Sequence, residues 1–292
     1  MRLLIVLILL PFITHGQIVR THPYYKPSVA TGCTDADALA FIDSAGITDQ
    51  TQKDAICTLV RELKDSSLWS SFNAIYPFIG GTASSHKWNL KNPQNTDAAF
   101  RLTFSGTWTH SSSGADPNGG SSTYANTYIN ASTVLTNNST TLTYYSIDNN
   151  TSPASFSCEI ISYVSGSNLS DLGIYRSGDG NITVSQNYKD NATVAQFTDV
   201  NSQGYYAASR TSSTNNQIYK NGVSQNTNTT SESAVLPNSN YYLAGHPTLG
   251  SFVASNRGCA FATIGAGLTG DQVRALNTIV EKFNDSLGRG VQ

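Results

Sequence analysis

Gln217-Ile218-Tyr219-Lys220-Asn221-Gly222-Val223 is the stretch that decides the fold. β-Branched and aromatic residues lead into Asn221-Gly222, the pair that supplies the two positive φ angles of a tight hairpin turn. Short runs of similar character recur at 98–104, 142–147, 156–163, 172–175, 204–209, 217–220, 241–245 and 259–264, separated by clusters of Asn, Ser and Gly. Regular spacing of this kind predicts a mainly β fold in which short strands form a sandwich.

The two ends read differently. Thr34 with Asp37 can cap a helix carrying Leu39, Phe41 and Ile42, which Gly46 ends. A second helix starts near Thr48 or Asp49 and places Ile56, Leu59, Val60 and Leu63 on one apolar face. Leu68, Trp69, Phe72, Ile75 and Tyr76 are expected to add a short helical turn before Pro77. At the other end Thr269 and Gln272 make a capping box, and Val273, Leu276, Val280, Phe283 and Leu287 share a face that needs a partner, most simply the sandwich. The expected organisation is a signal-like segment at 1–16, an extended arm at 17–33, a helical docking module at 34–97 and a β domain with its C-terminal helix at 98–292.

Composition narrows the function. Charged residues make up 12% of the 292 and the formal net charge is -2, so there is no basic field to hold nucleic acid. Arg2, the apolar run Leu3 to Leu10 and the small-residue site at Thr14-His15-Gly16 read as an export signal cleaved before Gln17, or as an uncleaved hydrophobic arm. Either way the run is too short for a stable membrane span. Four cysteines in an exported chain make disulfides plausible, and the segment organisation favours Cys33 with Cys57 and Cys158 with Cys259, four free thiols being the alternative.

Arrangements for catalysis are missing. The four Glu, at 62, 159, 232 and 281, form no carboxylate pair on one strand of the kind a glycosidase needs. Glu159 lies on a strong β run, where an alternating strand would turn it to solvent. No Gly-x-Ser-x-Gly elbow occurs, and His86, His110 and His246 lack zinc spacing. No catalytic residue, metal site or cofactor is therefore expected. Sugar binding needs exposed rings beside amides and hydroxyls, and Trp88, Trp108, Tyr145 and Tyr206 are the candidate ligand-binding residues. In the pairs Tyr144-Tyr145 and Tyr205-Tyr206, one ring should be core and the other exposed.

Ile218 to Val223, Tyr241-Tyr242-Leu243-Ala244-Gly245 and Phe261 to Leu268 running into a capped helix resemble concanavalin A-like, laminin-G-like jelly rolls, a likeness covering somewhat over half of the chain. The segment from Ala45-Gly46-Ile47-Thr48 through Leu68-Trp69 and Ala74 to Leu90, continued by Gly106 to Gly119 with Trp108, His110 and Asn118, is similar to segments beside such jelly rolls in virion proteins of Bacteroidota phages and prophages. These resemblances imply a concanavalin A-like jelly-roll sandwich. They also imply a non-enzymatic virion-surface protein, such as a fibre, spike or capsid decoration, whose partners are other virion proteins, further copies of itself and a host-surface glycan. An exported adhesin or carbohydrate-binding module, secreted or on a cell surface, is the alternative, with a glycan-cleaving enzyme behind it. The loop Ser177-Gly178-Asp179-Gly180-Asn181 carries oxygen ligands that could hold calcium, as some laminin-G-like domains do, although a lone Asp-Gly is ordinarily only a turn.

Overall fold

The computed structural model describes residues 32–150, 156–176, 182–187, 194–231, 235–250 and 253–291, with backbone alone for 176 and 182–187. The N-terminal segment, most of the arm, the 177–181 loop and Glu232 lie outside the described residues. The chain opens with helices α1 (Ala36–Ala45) and α2 (Gln50–Asp65), strand β1 (Phe72–Tyr76) and a helical turn, α3 (Ala83–His86). Strands β2 (Thr103–Ser105), β3 (Thr109–Ser111), β4 (Gly114–Asp116) and β5 (Tyr124–Asn130) follow, then the turn α4 (Ala131–Val134). Next come β6 (Thr140–Ser146), β7 (Ile160–Ser165), β8 (Asn168–Arg176), β9 (Ile182–Asn187) and β10 (Ala195–Asp199). The last elements are β11 (Gly204–Ser212), β12 (Asn215–Lys220), β13 (Val223–Asn228), β14 (Asn240–Leu243), β15 (Cys259–Gly265) and helix α5 (Gly270–Ser286).

All pairings are antiparallel, in two sheets. The first runs β13-β12-β11-β6-β15-β4-β3, with β1 also on β15, and the second runs β10-β9-β8-β7-β14-β5-β2. Asn221 and Gly222 take φ of 51° and 74°, and Lys220 pairs with Val223 across them, as the hairpin reading requires. The mainly β sandwich with a helix on it is thus what the sequence predicts.

Local chemistry sets the helix ends. Asp35, rather than Thr34, caps α1 by accepting from the Asp37 and Ala38 amides at 3.0 and 3.2 Å, and Gly46 closes it at φ 65°. The Thr269–Gln272 capping box of α5 forms as expected. Helices of 10, 16 and 17 residues draw most of their stability from packing an apolar face rather than from propensity. They persist because α1, α2 and α5 pack together on the outer face of the first sheet, where Phe41, Ile56, Leu59, Val60, Leu276 and Phe283 share one core with Tyr145, Tyr205 and Phe261. A second core lies between the sheets, built on Tyr144, Tyr206, Leu142, Ile160, Leu172 and Leu243. The first sheet is therefore the middle of three layers.

Several expectations are corrected. Residues 72–76 form a strand, not a helical turn, because the short apolar run finds a partner in β15, while the Asn89 side chain takes the Ile75 amide at 3.0 Å. Residues 98–104 yield only β2, since a 3-10 turn occupies Asp97–Ala99 and Phe100 takes φ 59°. Cys33 and Cys57 are bonded, with Cα atoms 5.8 Å apart. Cys158 and Cys259 are both free and buried, so the pairing favoured for them is wrong. The reason is layer geometry: Cys259 belongs to the core between the sheets, whereas Cys158 packs with Ile161 and Val253 in a separate small cluster.

Glu159 is not turned to solvent either. It is fully buried and accepts from Arg257, itself fully buried, at 3.0 Å, from Ser255 at 2.9 Å and from the Ile174 amide at 2.6 Å. Burial raises its carboxyl above the usual range while Arg257 and these donors pull it down. Removing one partner of such a pair strands a buried charge, so Arg257→Met should lower unfolding free energy by about 3–5 kcal/mol in urea titration. A loss below about 1 kcal/mol would contradict that role.

Candidate functional site

With α1, α2 and α5 over the first sheet, the outer face of the second is the sheet face no helix covers, among the described residues. Part of it is covered where Leu249 and Val253 pack on Cys158 and Ile161. Outward residues of β2, β5 and β14 keep at least partial exposure. Along β5 burial alternates strictly, Ala125, Thr127 and Ile129 inward and Tyr124, Asn126, Tyr128 and Asn130 outward and partly exposed. On β14 Tyr242 and Asn240 point the same way.

These outward tyrosines are linked in a row across the strands, the last contact passing through the buried His246. Tyr124 meets Tyr242 edge to face with centroids 5.5 Å apart, Tyr242 meets His246 at 4.8 Å, and His246 meets Tyr163 of β7 at 5.7 Å. Tyr128 flanks the row, with the Arg101 guanidinium 5.7 Å from its ring centre. Amides lie between the rings: Asn240 Nδ2 donates to Asn126 Oδ1 at 3.2 Å, and Asn130 Nδ2 to Asn238 Oδ1 at 2.9 Å. Burial pushes the Tyr242 phenol up and the His246 imidazole down to about 4, so both are neutral donors and acceptors near pH 7. Partly exposed rings interleaved with uncharged amides suit a flat, hydroxyl-rich, uncharged ligand better than an ion.

The residues proposed from sequence fall elsewhere. Tyr145 and Tyr206 are buried and cannot stack on a ligand; Tyr145 faces the helices and Tyr206 the space between the sheets. The expectation that one tyrosine of each pair is exposed fails because both faces of the first sheet are covered. Trp88 is partly buried against the helical core with the Lys87 ammonium 4.6 Å from its ring centre. Trp108 is partly buried, its Nε1 donating to Ser105 O at 3.0 Å, its ring stacked on His110 and its edge against Phe104. The structure brings Trp108, His110 and Asn118 into one corner, but not Trp88, Tyr145 or Tyr206 with them. Tyr124, Tyr128, Tyr163 and Tyr242 went unread, and the period-two pattern of Tyr124 to Asn130 was the signal available.

Beneath Trp108 sits a histidine pair. His86 Nε2 accepts from the Gly81 amide at 3.2 Å, which leaves the His86 proton on Nδ1, 3.0 Å from His110 Nδ1. Burial, with His110 and Arg289 close by, pushes His86 down from 6.5 to about 3. No group of three or more His, Cys, Asp or Glu side chains could hold a metal ion among the described residues, and no helix there is long and apolar enough to cross a membrane.

No family model and no curated protein sequence matches the chain. Among solved structures, a Trypanosoma rangeli sialidase mutant displaying trans-sialidase activity aligns with a TM-score of 0.52 at 12% identity, over 81% of this chain and 39% of the sialidase. This chain thus spans about two fifths of that protein. Looser matches are domain 4 of a GH43 extracellular arabinanase from Geobacillus stearothermophilus in complex with arabinotriose (TM-score 0.41, 14% identity, 71% of this chain and 98% of that one) and the botulinum neurotoxin serotype D binding domain (0.46, 10%, 73% and 52%). The sialidase likeness shows a shared β-sandwich fold and nothing finer.

The histidine pair carries a pH prediction. An unfolded chain protonates His86 near 6.5 while the folded chain resists until about 3, so stability is complete above the first value and drains as pH falls toward the second. Melting temperature should decline across that window, and His86→Phe should flatten the decline relative to its own value at neutral pH. An unchanged slope would refute the assignment.

Proposed function

We propose that the protein is a non-enzymatic glycan-binding β-sandwich, displayed on the surface of a phage particle, which holds carbohydrate on the open face of its second sheet. The observation that carries the reading is the row of partly exposed rings Tyr124, Tyr242 and Tyr163 set among the amides of Asn126, Asn130 and Asn240. An absence of catalysis is supported by Glu159, the one Glu on the central β run, which is spent on Arg257. The phage setting rests on the resemblance of residues 45–90 and 106–119 to virion proteins, and in that setting the partners are virion proteins and further copies of the chain. The signal-like segment at 1–16 favours a second reading, an exported adhesin with the same binding face.

Glycan-array binding followed by titration calorimetry tests the face. Tyr124→Ala and Tyr242→Ala should each weaken binding by about tenfold or more, equivalent to ~1.4 kcal/mol, with circular dichroism unchanged. Retained affinity in both variants, or glycan turnover that disappears in Glu159→Gln, would overturn the reading. Finding the chain by mass spectrometry in purified particles separates the virion setting from the adhesin.

A further inference from the structure

Tyr128 has a backbone that its side chain disfavours. It takes φ 58°, and among the described residues it is the non-glycine residue with positive φ that lies inside a strand. A bulky aromatic in the left-handed region is an outlier that surrounding structure must enforce. The enforcement is visible. Asn240 pairs with Asn130 and Tyr242 with Asn126, so β5 advances four residues while β14 advances two, a bulge that re-aims the side chain between them.

Side chains complete the hydrogen bonding that the bulge disrupts. Asn126 Oδ1 accepts from the Tyr128 amide at 2.9 Å, and Thr127 Oγ1 accepts from the Ile129 amide at 3.1 Å while donating to Tyr241 O at 2.7 Å. The strained backbone holds the Tyr128 ring beside Arg101, with its hydroxyl 2.9 Å from Thr103 Oγ1. Arg101 donates to that same oxygen at 2.8 Å and gives its other arm to Asp97 at 2.8 Å, so its charge is already met. Tyr128 is thus a fixed, uncharged platform beside the ring row.

We propose that the strained Tyr128 is a specificity-determining platform at one end of a site for an extended, uncharged oligosaccharide lying across the partly exposed rings of Tyr124, Tyr242 and Tyr163. This rests on the glycan-binding reading and adds the form of the ligand. Tyr163, Tyr242 and Tyr124 stand on the neighbouring strands β7, β14 and β5, about 10 Å across at the usual strand spacing, a span that a chain fills and a monosaccharide does not. With Arg101 paired to Asp97 and amides elsewhere, the described residues on this part of the face offer an acidic sugar no free cation.

The test is calorimetry on the full chain with gluco-, manno-, xylo- and arabino-oligosaccharides from mono- to hexasaccharide, beside sialylated and sulfated glycans. Affinity for one neutral series should rise with chain length. Tyr128→Asn, a residue that tolerates positive φ, should weaken the longest chain by about tenfold or more. Its melting temperature should hold or rise by about 2 °C as strain is relieved. A melting temperature that falls together with binding would make Tyr128 a merely structural residue. Binding lost in Tyr242→Ala but kept in Tyr128→Asn would overturn the proposal while leaving the face intact, a preference for charged glycans would overturn the ligand class, and no binding by the unmodified chain would remove the underlying reading as well.

Discussion

Burial of the central strands of the first sheet on both faces is the constraint from which the rest follows. Its strands β6 and β15 are buried at every position, so polar groups on them must be satisfied inside the protein. Thr143 bonds Thr263 at 2.7 Å, Thr141 bonds Ser209 at 2.9 Å, and Ser209 donates to Leu268 O at 2.7 Å where the chain turns into α5. Tyr145 donates to Glu281 of α5 and accepts the Val291 amide at 2.8 Å. Buried Arg289 donates to Pro77 O, Phe78 O and Ala260 O, tying the C-terminal segment to the segment after β1 and to β15. Helices locked on one side of the sandwich leave partly exposed rings and amides on the opposite side, where the proposed site lies.

Electrostatics fit the same division. Inside, charge is paired, as with Glu159 and Arg257, held by backbone carbonyls, as with Arg289, or suppressed, as with the neutral histidines. Outside, the open face carries amides, hydroxyls and phenols, and its arginine is neutralised by Asp97. Polarity without net charge on a rigid sheet permits hydrogen bonding to hydroxyl-rich ligands and discourages polyanions. Tyr128 keeps a strained backbone on this surface, enforced by the bulge between β5 and β14.

Features set by nearby residues were legible in the sequence. The Asn221-Gly222 hairpin and the Thr269–Gln272 capping box each depend on a few adjacent residues, and both stand as read. What depends on distant partners was not legible. Exposure of Tyr145 and Tyr206 could not be judged without knowing that α2 and α5 return over the first sheet, and the partner of Glu159 lies 98 residues away. Cys158 and Cys259 differ in layer, which spacing cannot reveal. The proposed face was hard to read because Tyr124 to Asn130 carries few apolar side chains, and its small inward residues Ala125 and Thr127 mask the alternation.

A crystal structure with a bound neutral oligosaccharide tests the central claim most directly. The layered architecture predicts sugar density over Tyr124 and Tyr242, with Asn126 or Asn240 in hydrogen-bond reach and Tyr128 in its positive-φ conformation. Density at the Trp108 corner, or at the loops joining the two sheets with the β5–β14 face empty, would contradict it.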